Sequence, residues 1–161
     1  MIIESIELQN YRNIEKLKLP LGEKNNILYG DNAQGKTNLL EAIFFGSTGK
    51  SFRFCKDKEL IHFGAEEAHL KMILKKKGIS HRIDIHLKKN KSKGVAIDGF
   101  PVKKSSELFG LGNIIIFSPE DLSLIKNGPR ERRRFIDLEL CQLDKIYLYH
   151  SVSYTHLTLP T

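Results

Sequence analysis

The sequence predicts an α/β fold with an antiparallel hairpin region, on three observations. A short apolar run, Asn26-Ile27-Leu28-Tyr29, meets a glycine-framed loop that opens a helix with apolar residues at inward spacing. Segments with the alternating pattern of strands lie before and after that unit. Two tight-turn dipeptides, Lys77-Gly78 and Asp98-Gly99, punctuate the later alternation. The chain has 161 residues, 40% hydrophobic and 28% charged. That is enough for one domain with a real core, and it excludes wholesale disorder, collagen and coiled coil.

Taken in order, Ile2–Leu8 reads as a first strand and Ile14–Leu19 as a second, stopped by Pro20. Asn26–Tyr29 reads as a short buried strand running into Gly30. The helix begins near Lys36, places Leu39, Leu40, Ile43 and Phe44 inward, and ends over Gly46–Gly49. In the next strand Ile79, Ile83, Ile85 and Leu87 face one way. Ser80, Arg82, Asp84, His86 and Lys88 face the other, with His81 the exception on the apolar side. Asn113–Phe117 has the continuous apolar character of a fully buried strand. Ser118 and Pro119 have the chemistry of an N-cap and a first helical position. Gly128-Pro129 punctuates, and a longer helix starts near Arg130 with Ile136, Leu140, Leu143 and Tyr147 on one face. Val152–Thr161 carries no formal charge and departs from this pattern. It reads as the translated frame of a sequencing-library adapter, so residues 1–151 are expected to be native sequence that naturally continues.

The formal net charge is +7, and its placement says more than its size. Residues 71–104 alone carry +9, from ten lysines and Arg82 against Asp84 and Asp98; the remainder is −2. A patch of this kind can attract phosphate backbones, or it can be a solvated hairpin edge that resists aggregation. No apolar run approaches a membrane span, and no secretory leader opens the chain, so a cytoplasmic protein with no membrane partner is expected. Cys55 and Cys141 are too few for a disulfide framework and read as packing residues. The histidines at 62, 69, 81, 86, 150 and 156 have no spacing of a zinc site along the chain.

Chemistry enters with Gly30-Asp31-Asn32-Ala33-Gln34-Gly35-Lys36-Thr37, which fits G-x-x-x-x-G-K-[ST] at every fixed position. Gly30 and Gly35 let the backbone wrap so that its N–H groups point at phosphates. The helix N-terminus adds partial positive charge. Lys36 reaches the β- and γ-phosphates as a point charge, and Thr37 offers its hydroxyl to Mg²⁺. The fold class is therefore a P-loop NTPase, with a mixed core and an antiparallel basic hairpin region.

Several segments resemble the RecF family, whose ATPase heads are of the ABC type and related to those of SMC and Rad50. They are Asn10-Tyr11-Arg12-Asn13, Gly30 to Asn38, Leu39-Leu40-Glu41-Ala42-Ile43, Thr48 to Arg53, and Pro119-Glu120 through Gly128-Pro129. Arg132-Arg133 and Phe135-Ile136-Asp137 complete the match, with Asn127 standing where the family usually has glycine. The resemblance runs collinearly from residue 1 to about 151. It implies an ABC ATPase head-like N-terminal half, with Gly30, Asn32, Ala33, Gln34, Gly35, Lys36, Thr37 and Asn38 on ATP and Thr37 on Mg²⁺. Arg12 approaches the phosphates in related heads; its alternative is a surface pairing with Glu15. The resemblance further implies DNA binding at single-strand gaps or gapped duplex, an ATP-dependent homodimer, RecO and RecR as partners, and a role in recombinational repair and the SOS response.

An ABC head also needs an aliphatic strand running into Asp-Glu and a glycine-rich signature, and the chain has neither. Ile114-Ile115-Ile116-Phe117 leads to Ser118-Pro119-Glu120, and Leu122-Ser123-Leu124-Ile125-Lys126 lacks the glycines. No catalytic residue is therefore assigned, and efficient hydrolysis is not expected of this chain. Glu120 and Asp121 stand near the metal-contacting loop of such heads, or serve as helix caps. Lys50 and Arg53 can meet nucleic acid across a dimer or be solvated. Of the basic run, Arg132 and Arg133 flank the apolar helix face, whereas Arg130 and Arg134 point away toward DNA or solvent. Two other readings stand beside this one. A P-loop small-molecule kinase is disfavoured by the long hairpin region after the helix. A nucleotide-independent DNA-binding module rests on the lysine patch alone.

Overall fold

The computed structural model describes residues 1–53, 55–117 and 129–157, with backbone alone at 131, 134 and 152–157. Its centre is a six-stranded sheet in the order β2-β1-β3-β4-β5-β6. The strands are β1 (Ile2–Tyr11), β2 (Ile14–Pro20), β3 (Glu67–Lys76), β4 (Ile79–Lys88), β5 (Lys91–Ile97) and β6 (Phe100–Pro101). Every ladder in it is antiparallel, so the expected mixed core is not seen among the described residues. Lys77 and Gly78 take φ of 49° and 83°, and Asp98 and Gly99 take 53° and 86°, the left-handed pairs that tight hairpin turns need.

Alternation along the strands divides the sheet cleanly. Ile6 and Leu8 of β1, Ala68, Leu70, Met72 and Leu74 of β3, and Ile83, Ile85 and Leu87 of β4 are buried on one face. Helix α1 (Lys36–Thr48) lies on that face. Gly46 makes the close approach possible: a Cβ there would sit 3.0 Å from Met72 Cε and 3.3 Å from Leu70 Cδ2. Gly49, at φ 67°, caps the helix with its N–H on the Phe45 carbonyl. Leu39 and Phe44 are buried as expected and Ile43 packs against the core, but Leu40 is exposed. Its place on the inward side is taken by Glu41, whose side chain is fully buried.

Tyr11 closes the core at the end of β1, against Phe45, and burial holds its phenol well above the usual titration range. Its hydroxyl has no hydrogen-bond partner among the described residues. Tyr11→Phe is therefore expected to be neutral or stabilising by up to about 1 kcal/mol, because an unpaired buried polar group is removed. Thermal denaturation of the two proteins measures this; a clear loss of stability would show that the hydroxyl has a partner.

Two expected strands do not form. Asn26–Tyr29 joins no strand ladder among the described residues, and Ile27 and Tyr29 are 83% and 91% exposed. Asn113–Phe117 runs extended, with Ile115 and Phe117 exposed and Ile114 and Ile116 half-buried. A fully buried strand needs a neighbour on each edge and cover on each face. The described sheet uses its own strands as neighbours and offers these two segments neither. Ser118–Gly128, including the expected helix start and Glu120 and Asp121, lies outside the described residues.

The long helix also divides. Helix α2 (Pro129–Leu143) stops at Asp144, whose carboxylate accepts from the Ile146 N–H at 2.7 Å and caps α3 (Lys145–Leu157). The expected apolar face is largely open: Ile136, Leu140 and Leu143 are exposed, while Cys141 and Gln142 are buried instead. Gln142 stands in for a strand neighbour. Its Oε1 accepts from Ile114 N–H at 2.8 Å and its Nε2 donates to the Ile114 carbonyl at 3.0 Å. Arg130, Arg132 and Arg133 are exposed. Helix α3 continues through Val152 to Leu157, without a break at the expected start of the foreign segment.

Candidate nucleotide site

The loop before α1 is built by backbone conformations that its sequence anticipates. Gly30 and Gly35 take φ of 143° and 94°, and Ala33 takes 65° without being glycine. Gly35 is the N-cap of α1, and no side chain caps the first turn. No acidic side chain occupies that turn either. The N–H groups of the helix start are thus left for another acceptor. A side chain at Gly35 would also collide with the neighbouring hairpin, its Cβ 2.9 Å from Asn13 Oδ1.

Lys36 folds back over this loop. Its ammonium donates to the carbonyls of Gly30 at 2.7 Å and Asp31 at 2.5 Å. The charge is therefore positioned at the loop's mouth. Asn32, Ala33, Gln34 and Thr37 are exposed around it, and Asn38 is half-buried in the first turn. An open groove beside the loop is lined by Asn13, Leu17, Tyr29, Gln34, Lys36 and Leu39.

Arg12 and Asn13 form the two-residue turn between β1 and β2, and Arg12 takes a left-handed φ of 54°. Asn13 Nδ2 donates to the Ala33 carbonyl at 2.9 Å, tying the turn to the phosphate-binding loop. Arg12 does not pair with Glu15. Its Nε and Nη2 donate to the two carboxylate oxygens of Glu41, both at 2.9 Å. Nη1 donates to the Glu59 carbonyl at 3.0 Å, and Nη2 also reaches Cys55 Sγ at 3.1 Å. Cys55 therefore belongs to this polar cluster more than to the apolar core.

Glu41 is the centre that sequence reasoning missed. Ser51 Oγ donates to its carboxylate at 2.5 Å, and Arg53 Nη1 stands 3.5 Å from it. Arg53 also donates to Asn38 Oδ1 at 2.9 Å, and Asn38 donates to Asn13 Oδ1 at 2.7 Å. The ring Asn13–Asn38–Arg53–Glu41–Arg12 thus joins the loop, α1, the β1–β2 turn and the segment after α1. Burial alone would raise the Glu41 pKa, but the donors Arg12 and Ser51 and the two guanidinium charges outweigh it and lower it. The available signal was a carboxylate in a run that is otherwise apolar, Leu39 to Phe45, with Arg12 and Arg53 on flanking segments. Arg53 is thus held on Glu41 and Asn38 rather than being merely solvated.

The lysine-rich hairpins are partly neutralised. Lys71 and Lys18 meet Glu7, Lys88 meets Glu67, Lys89 meets Glu66, and Lys93 meets Asp57 at 3.0 Å. The patch therefore includes a laced edge, as well as whatever attraction for phosphate it retains.

Comparison with known proteins places this geometry. The family model described as the RecF/RecN/SMC N terminal domain matches residues 2–123. The chain belongs to this family. A curated relative named DNA replication and repair protein RecF, from Lachnoclostridium phytofermentans, is 60% identical over 154 residues, covering 96% of this chain and 43% of its own length. The protein of the same name from Clostridium acetobutylicum is 45% identical over 157 residues, covering 98% and 43%. The chain thus spans under half the length of the curated relatives it matches. A solved structure described as the recombination mediator protein RecF-ATP in the RecFOR pathway superposes with TM-score 0.90 at 37% identity, covering 96% of this chain and 43% of that one. An SMC ATPase structure matches with TM-score 0.69 at 22% identity, over 86% of this chain and 99% of its own, a likeness of fold alone. The fold is accordingly that of a P-loop NTPase of the ABC-head kind found in the RecF/RecN/SMC family.

Proposed function

We propose that the chain is the ATP- and DNA-binding N-terminal part of a DNA-repair ATPase of the RecF kind. The observation that carries the nucleotide reading is the uncapped start of α1 with Lys36 already held over its loop. Gly30, Asn32, Ala33, Gln34, Gly35, Lys36, Thr37 and Asn38 would hold the phosphates, and the Thr37 hydroxyl would hold Mg²⁺. Lys36 would exchange its two carbonyl partners for phosphate oxygens, a stronger, charge-assisted contact. Arg12 has an Nη1 hydrogen beyond those given to Glu41, Glu59 and Cys55, and it would turn that donor to the phosphates. Bound Mg-ATP supplies negative charge and a cleavable anhydride; the residues of this chain bind and orient it.

The relatives' names and the ATP in a solved RecF structure support this reading. With it go an ATP-dependent homodimer of the whole protein, action at single-strand gaps in recombinational repair and the SOS response, RecO and RecR as partners, and a cytoplasmic setting. Among the described residues no helix is long and apolar enough to cross a membrane.

Calorimetry with Mg-ATP tests the nucleotide site in the 161-residue chain. Lys36→Ala should weaken binding by about 10- to 100-fold, the size of a lost charge-assisted hydrogen bond. Equal binding by both proteins would overturn the assignment of the loop. DNA binding that needs no nucleotide and is untouched by Lys36→Ala would favour a nucleotide-independent module instead.

A further inference from the structure

The face of the sheet opposite α1 carries a cluster that the spacing of histidines along the chain does not reveal. Residues β3 His69 and β4 His86 are direct cross-strand partners. Their rings stack with centroids 3.9 Å apart. Glu67, two residues before His69 on the same face, reaches both. His86 Nε2 lies 3.1 Å from Glu67 Oε2, and His69 Nε2 lies 3.7 Å from Glu67 Oε1. One ligand atom from each of the three residues falls within 4.8 Å of the others.

We propose that Glu67, His69 and His86 form a binding site for a divalent transition-metal ion of the zinc type. The chemistry of the donor set is two imidazoles and one carboxylate, the borderline N/O ligands that Zn²⁺ and its neighbours take. The geometry is close to what they need. A tetrahedral ion with bonds of about 2.0–2.2 Å sets its ligand atoms about 3.3 Å apart; His86 Nε2 stands 3.1 Å from one Glu67 oxygen and His69 Nε2 3.7 Å from the other, so the three residues are within reach of a shared ion once their side chains adjust. Both Nε2 atoms lie beside one carboxylate; the ring stack would have to open by rotation about the side-chain torsions to aim both in-plane lone pairs at a shared ion, while the backbone stays fixed by the ladder. Gly94 is the cross-strand partner of His86 on the other side, so the β5 position directly beside His86 brings no side chain.

Lys88 is the competitor, with Nζ 3.3 Å from Glu67 Oε2. It is well exposed and on a long flexible stem, so it can leave the carboxylate to the ion. A bound ion would pin β3 to β4 on the face away from the nucleotide loop.

The test is calorimetric titration of the metal-stripped 161-residue chain with Zn²⁺, and with Co²⁺ followed by visible absorption. Wild type should bind one ion through this cluster and develop the absorption of a tetrahedral cobalt centre. His69→Ala and His86→Ala should each weaken binding by about tenfold or more, and Glu67→Gln should weaken it with both rings retained. His81→Ala, on another part of β4, should leave it unchanged. All four positions lie on the outer face or near a hairpin end, and circular dichroism reports whether each variant keeps the fold. Absence of binding by folded wild type would overturn the proposal. So would binding that survives His69→Ala and His86→Ala unchanged.

Discussion

Glu41→Ala is expected to lower the melting temperature of the chain by about 10 °C, or to prevent folding altogether. Removing one member of a buried ion pair leaves the other without its partner, which typically costs about 3–5 kcal/mol. Arg12 remains 20% exposed and keeps the Glu59 carbonyl, which places the effect near 3 kcal/mol. For a chain of this size each kcal/mol is worth roughly 2–4 °C. Glu41→Gln keeps the shape and an oxygen for Ser51 but loses the charge, so it should fall between wild type and alanine. Thermal unfolding by circular dichroism measures all three.

The same pair makes a pH prediction. Glu41 titrates below its ordinary value of 4.5 in the folded chain. Its contribution to stability is therefore complete above 4.5 and is lost as pH falls through the depressed folded value. The surface carboxylates Glu7, Glu67 and Asp98 are also lowered, so wild type alone does not isolate Glu41. The gap between wild type and Glu41→Gln does. It should be widest near neutral pH and should narrow as the solution is acidified. A gap that is constant with pH would mean the Glu41 charge contributes nothing through Arg12.

Gly35→Val should reduce affinity for Mg-ATP by about 10- to 100-fold while leaving most of the fold intact. Two costs combine at this position. The residue holds φ of 94°, where a β-branched residue carries about 1–3 kcal/mol of strain. A Cβ would also lie 2.9 Å from Asn13 Oδ1 and 3.4 Å from Ile14 Cγ1. The backbone is expected to rotate out of the left-handed region, which turns the amides at the start of α1 away from the loop's mouth. Calorimetry and thermal unfolding on one preparation separate the outcomes. Weakened binding with a melting temperature lowered by only a few degrees supports the account; full affinity would show that the loop does not need this conformation.

How much of this was legible in the sequence follows from how local each cause is. The phosphate-binding loop and α1 were readable because glycine, lysine and threonine act through conformations and charges set within a few residues. Strand β4 and the tight turns at Lys77-Gly78 and Asp98-Gly99 were readable for the same reason: alternation and turn chemistry need no distant partner. Strand β3 was not read as an element of its own. Burial of Asn26–Tyr29 was not a local property. Its apolar side chains look alike whether a neighbouring strand is present or absent. Leu40 and Glu41 exchanged their expected places because Arg12 and Ser51, at distant positions, make a buried carboxylate affordable where periodicity favoured leucine. The helix break was within reach, since Asp144 is a good N-cap, but the apolar spacing from Ile136 to Tyr147 hid it. The pairing of His69 with His86 depends on register, which spacing along the chain does not state.

Most two-residue hairpin turns tolerate change, because only the strands they join depend on them. The Arg12-Asn13 turn is different. One residue holds the buried carboxylate of α1 and the other holds the Ala33 carbonyl of the loop. An insertion there would shift both side chains at once, so turn length itself is part of the site's specification. Natural or engineered variation in this stretch is confined to exchanging residues, and even then within the narrow set that can keep a left-handed backbone and two long-range hydrogen-bonding arms.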